Sequence, residues 1–153
     1  MLPPSACDTI SPRVRTAQTI RTQSRNPRLD TVLASIPQDK VIFTNASREH
    51  AERVLDLLGI KRHFVRIVDV RDMGYESKPE PAAYRRICEL LGVRPEECLF
   101  VEDNVRNLRP AKALGMTTVL VHHGSDSADD NVDYSIPCVE EIGRVLSNLA
   151  PDT

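Results

Sequence analysis

From residue 29 onward the chain alternates between short apolar runs and longer amphipathic segments. Val41-Ile42-Phe43 is a continuous apolar run of the kind that forms a buried strand. Residues 65–70, 98–103 and 117–123 repeat the pattern, and 133–136 offers a short fifth strand. Between them the period changes to that of a helix. Over 48–60, Ala51, Val54, Leu55 and Leu58 share one face, with Ser47 placed to cap the start and Gly59 the end. Over 79–93 the shared face holds Ala83, Ile87, Leu90 and Leu91, and Gly92 closes it. Residues 105–116 are helical in pattern, closed by Gly115, with Pro110 predicting a kink or a late start. Residues 29–36 predict a short helix ended by Pro37, and 138–149 a last one.

Strands that alternate with helices of this length predict a parallel sheet joined by right-handed crossovers. The strands are apolar throughout, as expected when helices cover both faces. The fold class is α/β: a Rossmann-like three-layer αβα arrangement with a mainly parallel sheet, forming one core domain over 29–153. Residues 1–28 break the pattern. They are rich in Arg, Ser, Thr and Pro, carry Asp8 as their single acid and show no sustained period. They read as a poorly ordered leader or a remnant segment.

Composition narrows the function. The chain has 153 residues, 41% of them hydrophobic, which supports one core and little more. Twenty basic residues against 22 acidic ones argue against binding nucleic acid or a membrane surface by bulk charge. No apolar run approaches the ~20 residues of a membrane-spanning helix. Aromatics are 4% and Trp is absent, which disfavours base stacking. The cysteines at 7, 88, 98 and 138 form no C-x-x-C pair and read as reduced thiols of a cytoplasmic protein.

The chemistry gathers at strand ends. Thr44-Asn45 follow the first apolar run, Lys78 lies in the loop after the second, and Glu102-Asp103 end the third. In a parallel sheet these points share one edge, where α/β folds place ligands. A hydroxyl beside a helix start, an ammonium and two carboxylates together suit a phosphoryl group and a hard divalent cation such as Mg²⁺. Each has a plainer reading alone: a turn, a solvated lysine, a helix cap. His122 and His123 follow a strand and could flank the site; the polar stretch 122–135 reads as a solvated loop.

The stretches VIFTNASREHAERVLDLLGI, SKPEPAAYRRICELLGV and LFVEDNVRNLRPAKALGMTTVLV resemble the second, third and fourth motifs of the haloacid dehalogenase-like (HAD) hydrolases, over roughly residues 27–147. The details FTNA, HA.RVL and ED..RN most resemble the pyrimidine 5′-nucleotidase-like branch. The resemblance implies a HAD-like core and a Mg²⁺-dependent phosphatase acting on a small phosphorylated substrate such as a nucleoside monophosphate. By the same resemblance Thr44 and Asn45 would contact the phosphoryl group, and Lys78 would orient phosphate and nucleophile. Asp103 would bind Mg²⁺ with support from Glu102, and Asn107 would stand one helical turn behind.

The family's first motif is an apolar strand ending in Asp-x-Asp-x-Thr, whose first Asp is the covalent nucleophile and second the general acid/base. No Asp-x-Asp occurs within residues 1–40, where Asp8-Thr9 and Asp30-Thr31 are partial matches. The chain therefore reads as a HAD-like core truncated at its N-terminus, without the first motif or the cap that follows it. The absent strand predicts an unpaired sheet edge and self-association through it. Three outcomes follow: a phosphatase, an inactive remnant or phosphate-binding module, or a chain completed by a separate one supplying the strand. A receiver-like phosphoacceptor is disfavoured, because there the acid pair precedes the lysine.

Overall fold

Six strands, all parallel, form one sheet in the computed structural model, which describes residues 25–122 and 128–150 and the backbone of 7–10. The strands are β1 (Cys7–Ile10), β2 (Lys40–Phe43), β3 (Phe64–Val68), β4 (Cys98–Glu102), β5 (Thr117–Val121) and β6 (Tyr134–Ile136). Their order is β3-β2-β1-β4-β5-β6. Among the described residues, five α-helices connect or follow them: α1 (Pro27–Ser35), α2 (Arg48–Leu58), α3 (Pro81–Leu91), α4 (Val105–Leu114) and α5 (Ile142–Leu149).

The strands' apolar runs divide between two cores by the two-residue alternation of a pleated strand. Val41, Phe43, Cys98 and Phe100 face Ala83, Tyr84, Ile87 and Cys88 of α3 and Leu108 and Ala111 of α4. Ile42, Leu99, Val101 and Val119 face Leu33 of α1, Ala51 and Leu55 of α2, and Ile142 and Val145 of α5. This is the expected three-layer αβα sandwich.

The expected gap in the sheet is closed from within the chain. Backbone register places β1 between β2 and β4, with Thr9 opposite Val41 and Phe100 and Ile10 opposite Val101. The unpaired edge anticipated on β2 and β4 is corrected accordingly: among the described residues the edge strands are β3 and β6. The segment 1–28 thus contributes a strand and the first two residues of α1, while residues 1–6 and 11–24 lie outside the described residues.

Local chemistry moves several boundaries. α1 begins at Pro27 because Asn26 caps it, its side-chain oxygen accepting the Leu29 N–H at 3.0 Å. β3 ends at Val68 instead of 70 because the Asp69 carboxylate accepts the N–H groups of Arg71 and Asp72, both at 3.1 Å, and turns the chain. α4 starts at once from its Asn104 cap and continues through Pro110, so the late start anticipated there does not occur. The last helix is a 3-10 turn, Val139–Glu141, followed by α5.

Candidate active site

The sheet order reverses on either side of β1, so the carboxyl ends of β2 and β4 flank the crevice where doubly wound sheets bind ligands. Thr44 follows directly on β2. It is buried, its N–H donates to Val68 carbonyl at 3.0 Å, and its Oγ1 accepts the Ala46 N–H at 3.0 Å. The hydroxyl proton remains a donor at the crevice. Ser47 then caps α2, accepting the His50 N–H at 3.4 Å.

Lys78 arrives from the loop between β3 and α3 and is buried at the same edge. Its Nζ donates to Phe43 carbonyl at 2.9 Å and to Glu102 Oε2 at 3.1 Å. The ammonium lies 4.9 Å from the centroid of the Phe43 ring and 5.7 Å from that of Phe100. Both rings meet Tyr84, edge-on, at centroid distances of 5.6 and 5.7 Å. Glu102 ends β4 with its side chain 3% exposed, and its Oε1 accepts the Asp103 N–H at 3.0 Å.

The electrostatics follow from this enclosure. Burial pushes the Glu102 carboxyl up, but the Lys78 charge and the Asp103 contact outweigh it and hold the group below the ordinary glutamate range. Burial draws Lys78 below the ordinary lysine range, while Glu102 and Asp103 pull the other way. Burial, and then the Glu102 charge, push the Tyr84 phenol well above its ordinary value, so it is a neutral donor. That donor goes to the Asn107 carbonyl at 2.5 Å, which ties α3 to α4 beneath the acid pair.

The predicted residues are thus brought together, with two refinements. Asn45 directs both polar ends of its side chain at the backbone of Lys78: Oδ1 accepts the Lys78 N–H at 2.9 Å and Nδ2 donates to the Lys78 carbonyl at 3.0 Å. Asn107 meets the site through its main-chain carbonyl. Asp30 lies away from the edge, on α1, where Oδ1 contacts Arg62 Nη2 and His63 Nε2 at 2.5 Å each. By register Asp8 stands opposite Leu99, three positions before Glu102. At about 3.3 Å per residue its backbone is on the order of 10 Å from the edge. His122 is exposed after β5, and His123 lies outside the described residues. The loop after it is not simply solvated, since Asp133 binds Lys112 and accepts the Thr118 N–H at 2.9 Å.

Sequence reasoning missed Asp69, which closes β3 as Glu102 closes β4. Burial would raise its carboxyl, but the N–H groups of Asp72 and Arg48 and the Arg71 guanidinium bring it down to about 2. It anchors the start of α2 through Arg48 N–H at 3.0 Å. An acid at a strand end was visible; that it faces inward was not. Of the aromatic floor, Phe43 and Phe100 were legible only as strand core, and Tyr84 was missed.

For a metal, the donor set is small. Among the described residues no group of three or more His, Cys, Asp or Glu side chains gathers to hold an ion. Mg²⁺ asks less: one or two carboxylates, water and a substrate phosphate suffice. Asp103, directly after β4 at the crevice, fits that requirement as a carboxylate ligand, and Glu102 beside it is engaged by Lys78 and by the Asp103 N–H.

A family model described as haloacid dehalogenase-like hydrolase matches residues 11–115. A CBBY-like protein of Arabidopsis thaliana is 35% identical over 115 residues, covering 72% of this chain and 36% of its own length. A phosphoglycolate phosphatase of Chromobacterium violaceum is 27% identical over 118 residues, covering 76% of this chain and 53% of its own. The chain thus spans between about a third and a half of these relatives. Among solved structures, an L-2-haloacid dehalogenase from Xanthobacter autotrophicus superposes with a TM-score of 0.73 at 22% identity, covering 88% of this chain and 65% of that one, a likeness of fold.

Proposed function

The chain belongs to the haloacid dehalogenase-like hydrolase family, and we propose that it hydrolyses small phosphomonoesters with Mg²⁺ at the carboxyl edge of its sheet. The observation that carries the reading is the convergence of Thr44, Lys78, Glu102 and Asp103 on the crevice beside β1. The Thr44 hydroxyl donates to a phosphoryl oxygen. Lys78, held by Glu102 and Phe43 carbonyl, sets positive charge against the substrate anion. Asp103 would hold Mg²⁺, which supplies charge neutralisation on the phosphoryl oxygens. The finer assignment is a nucleoside monophosphate, as for a pyrimidine 5′-nucleotidase, supported by the runs around Thr44 and Glu102 and by Asn107. The name of the Chromobacterium relative makes phosphoglycolate the competing substrate. No described helix is long and apolar enough to cross a membrane, and we assign the chain to the cytoplasm on its core-packed Cys88 and Cys98.

A second reading is favoured by the placement of Asp8 and Asp30. Asp30 lies on α1, away from the crevice, and the register sets the Asp8 backbone three positions back from the end of β4; on this reading the chain binds phosphate there without turning it over. One assay separates the two. Phosphate release is followed from nucleoside monophosphates, phosphoglycolate and an aryl phosphate, with and without Mg²⁺. Metal-dependent release that disappears in Asp103→Asn supports the hydrolase. Folded protein that binds inorganic phosphate but releases none supports the binding module.

A further inference from the structure

Lys78 does not sit on a strand. It belongs to the loop that joins β3 to α3, and its long side chain reaches across to the ends of β2 and β4. Within that loop the internal backbone bonds are short-range, such as Tyr75 N–H to Val70 carbonyl at 2.9 Å and Glu80 N–H to Ser77 carbonyl at 2.8 Å. They shape the loop from within. Asn45, two residues past the end of β2, bonds the backbone of residue 78 itself. Its amide makes a two-pronged pair with the N–H and carbonyl of Lys78, 33 positions away, imitating the pairing of a neighbouring strand. Asn45 is exposed as a residue, and water could satisfy both ends. The amide is directed at Lys78 all the same.

We propose that Asn45 is a positioning residue that acts through Lys78, clamping its backbone so that the ammonium seats between Phe43 carbonyl and Glu102, and is not itself a phosphate ligand. The proposal rests on the phosphate-binding reading of the site for its functional consequence, but the clamp itself is tested without ligand. Thr44 and Asn45 are neighbours with divided tasks: the hydroxyl faces the crevice and the amide holds the lysine. The Lys78 backbone takes one of the two Nδ2 protons and one Oδ1 lone pair, and this two-point pairing fixes the orientation of the amide.

The first measurement is amine acylation of the folded protein by acetic anhydride, read residue by residue by mass spectrometry. Lys78 is buried at the crevice, and Lys40, buried at the opposite end of β2 on the carbonyls of Ile36 and Gln38 at 2.7 and 2.8 Å, is the internal control. In Asn45→Ala, Lys78 should acylate at least severalfold faster while Lys40 is unchanged. An unchanged Lys78, or a parallel rise at Lys40, overturns the clamp. The second measurement is calorimetric binding of inorganic phosphate with Mg²⁺. Asn45→Ala should weaken it about tenfold, the loss of one or two neutral hydrogen bonds' worth of organisation. In a Lys78→Met/Glu102→Gln background, which leaves no buried charge unpaired, the same change should weaken it less than about twofold. An equal loss in both backgrounds means direct contact with phosphate and overturns the proposal. If the wild-type chain binds no phosphate, the functional reading falls, and acylation alone decides the role of Asn45.

Discussion

Replacing Lys78 by Met tests the energetics of the site. Lys78 and Glu102 are each 3% exposed at the side chain and 3.1 Å apart. Removing one partner of such a pair leaves a charge in a low-dielectric setting and typically costs about 3–5 kcal/mol. Phe43 carbonyl loses a donor as well, worth about 1 kcal/mol. Two effects reduce the total: Glu102 keeps the Asp103 N–H, and methionine fills the space between the Phe43 and Phe100 rings without a cavity. The expected loss is about 3–4 kcal/mol at pH 7.5, a large share of the ~5–15 kcal/mol of a typical domain. The loss also depends on pH. Without Lys78, burial dominates at Glu102 and raises its folded pKa above the unfolded value. The carboxylate then destabilises the fold as pH rises through that value, so the deficit is widest at pH 8 and narrows towards pH 5. Adding Glu102→Gln to Lys78→Met should recover about 2 kcal/mol. Urea unfolding followed by circular dichroism at both pH values reads all of this as midpoint shifts at constant slope. A loss below about 1 kcal/mol, equal at both pH values, would show the pair to be solvated and refute the reasoning.

Three further outcomes follow from the same contacts. Asp69, held at about 2, gives stability that is complete above about pH 4 and lost as pH falls through 2; the contribution is about 2 kcal/mol and should vanish from an acid titration of Asp69→Ala. Tyr84→Phe removes the donor to Asn107 carbonyl and should cost about 1–2 kcal/mol in urea unfolding while leaving the circular dichroism spectrum unchanged. Gly115 closes α4 at φ 101°, and an added Cβ would stand 3.3 Å from Glu96 Oε1, so Gly115→Ala should lower the thermal midpoint by several degrees through a loss of about 1–2 kcal/mol.

The sequence by itself determined most of the fold and which polar side chains gather at the carboxyl edge of the sheet. The change of hydrophobic period from strand to helix, repeated through the chain, is a local property, and it marked β2 to β6 and α1 to α5 to within a few residues. Glycine at 59, 92 and 115 marked helix ends because each position needs a left-handed backbone. Thr44, Lys78, Glu102 and Asp103 were legible because parallel strands must present their carboxyl ends on one side. Tertiary structure alone decided the rest. Cys7-Asp8-Thr9-Ile10 carries too little apolar character to announce a strand, and its place depends on vacant hydrogen-bonding edges on β2 and β4 that no local pattern displays. Asp69 looked like part of a strand until three backbone N–H groups were seen to converge on it. Asn45 could be assigned to a ligand or to a lysine 33 residues away with equal logic, since a side-chain amide serves either. Only the approach of the two segments in space, set by packing against the sheet, chose the lysine.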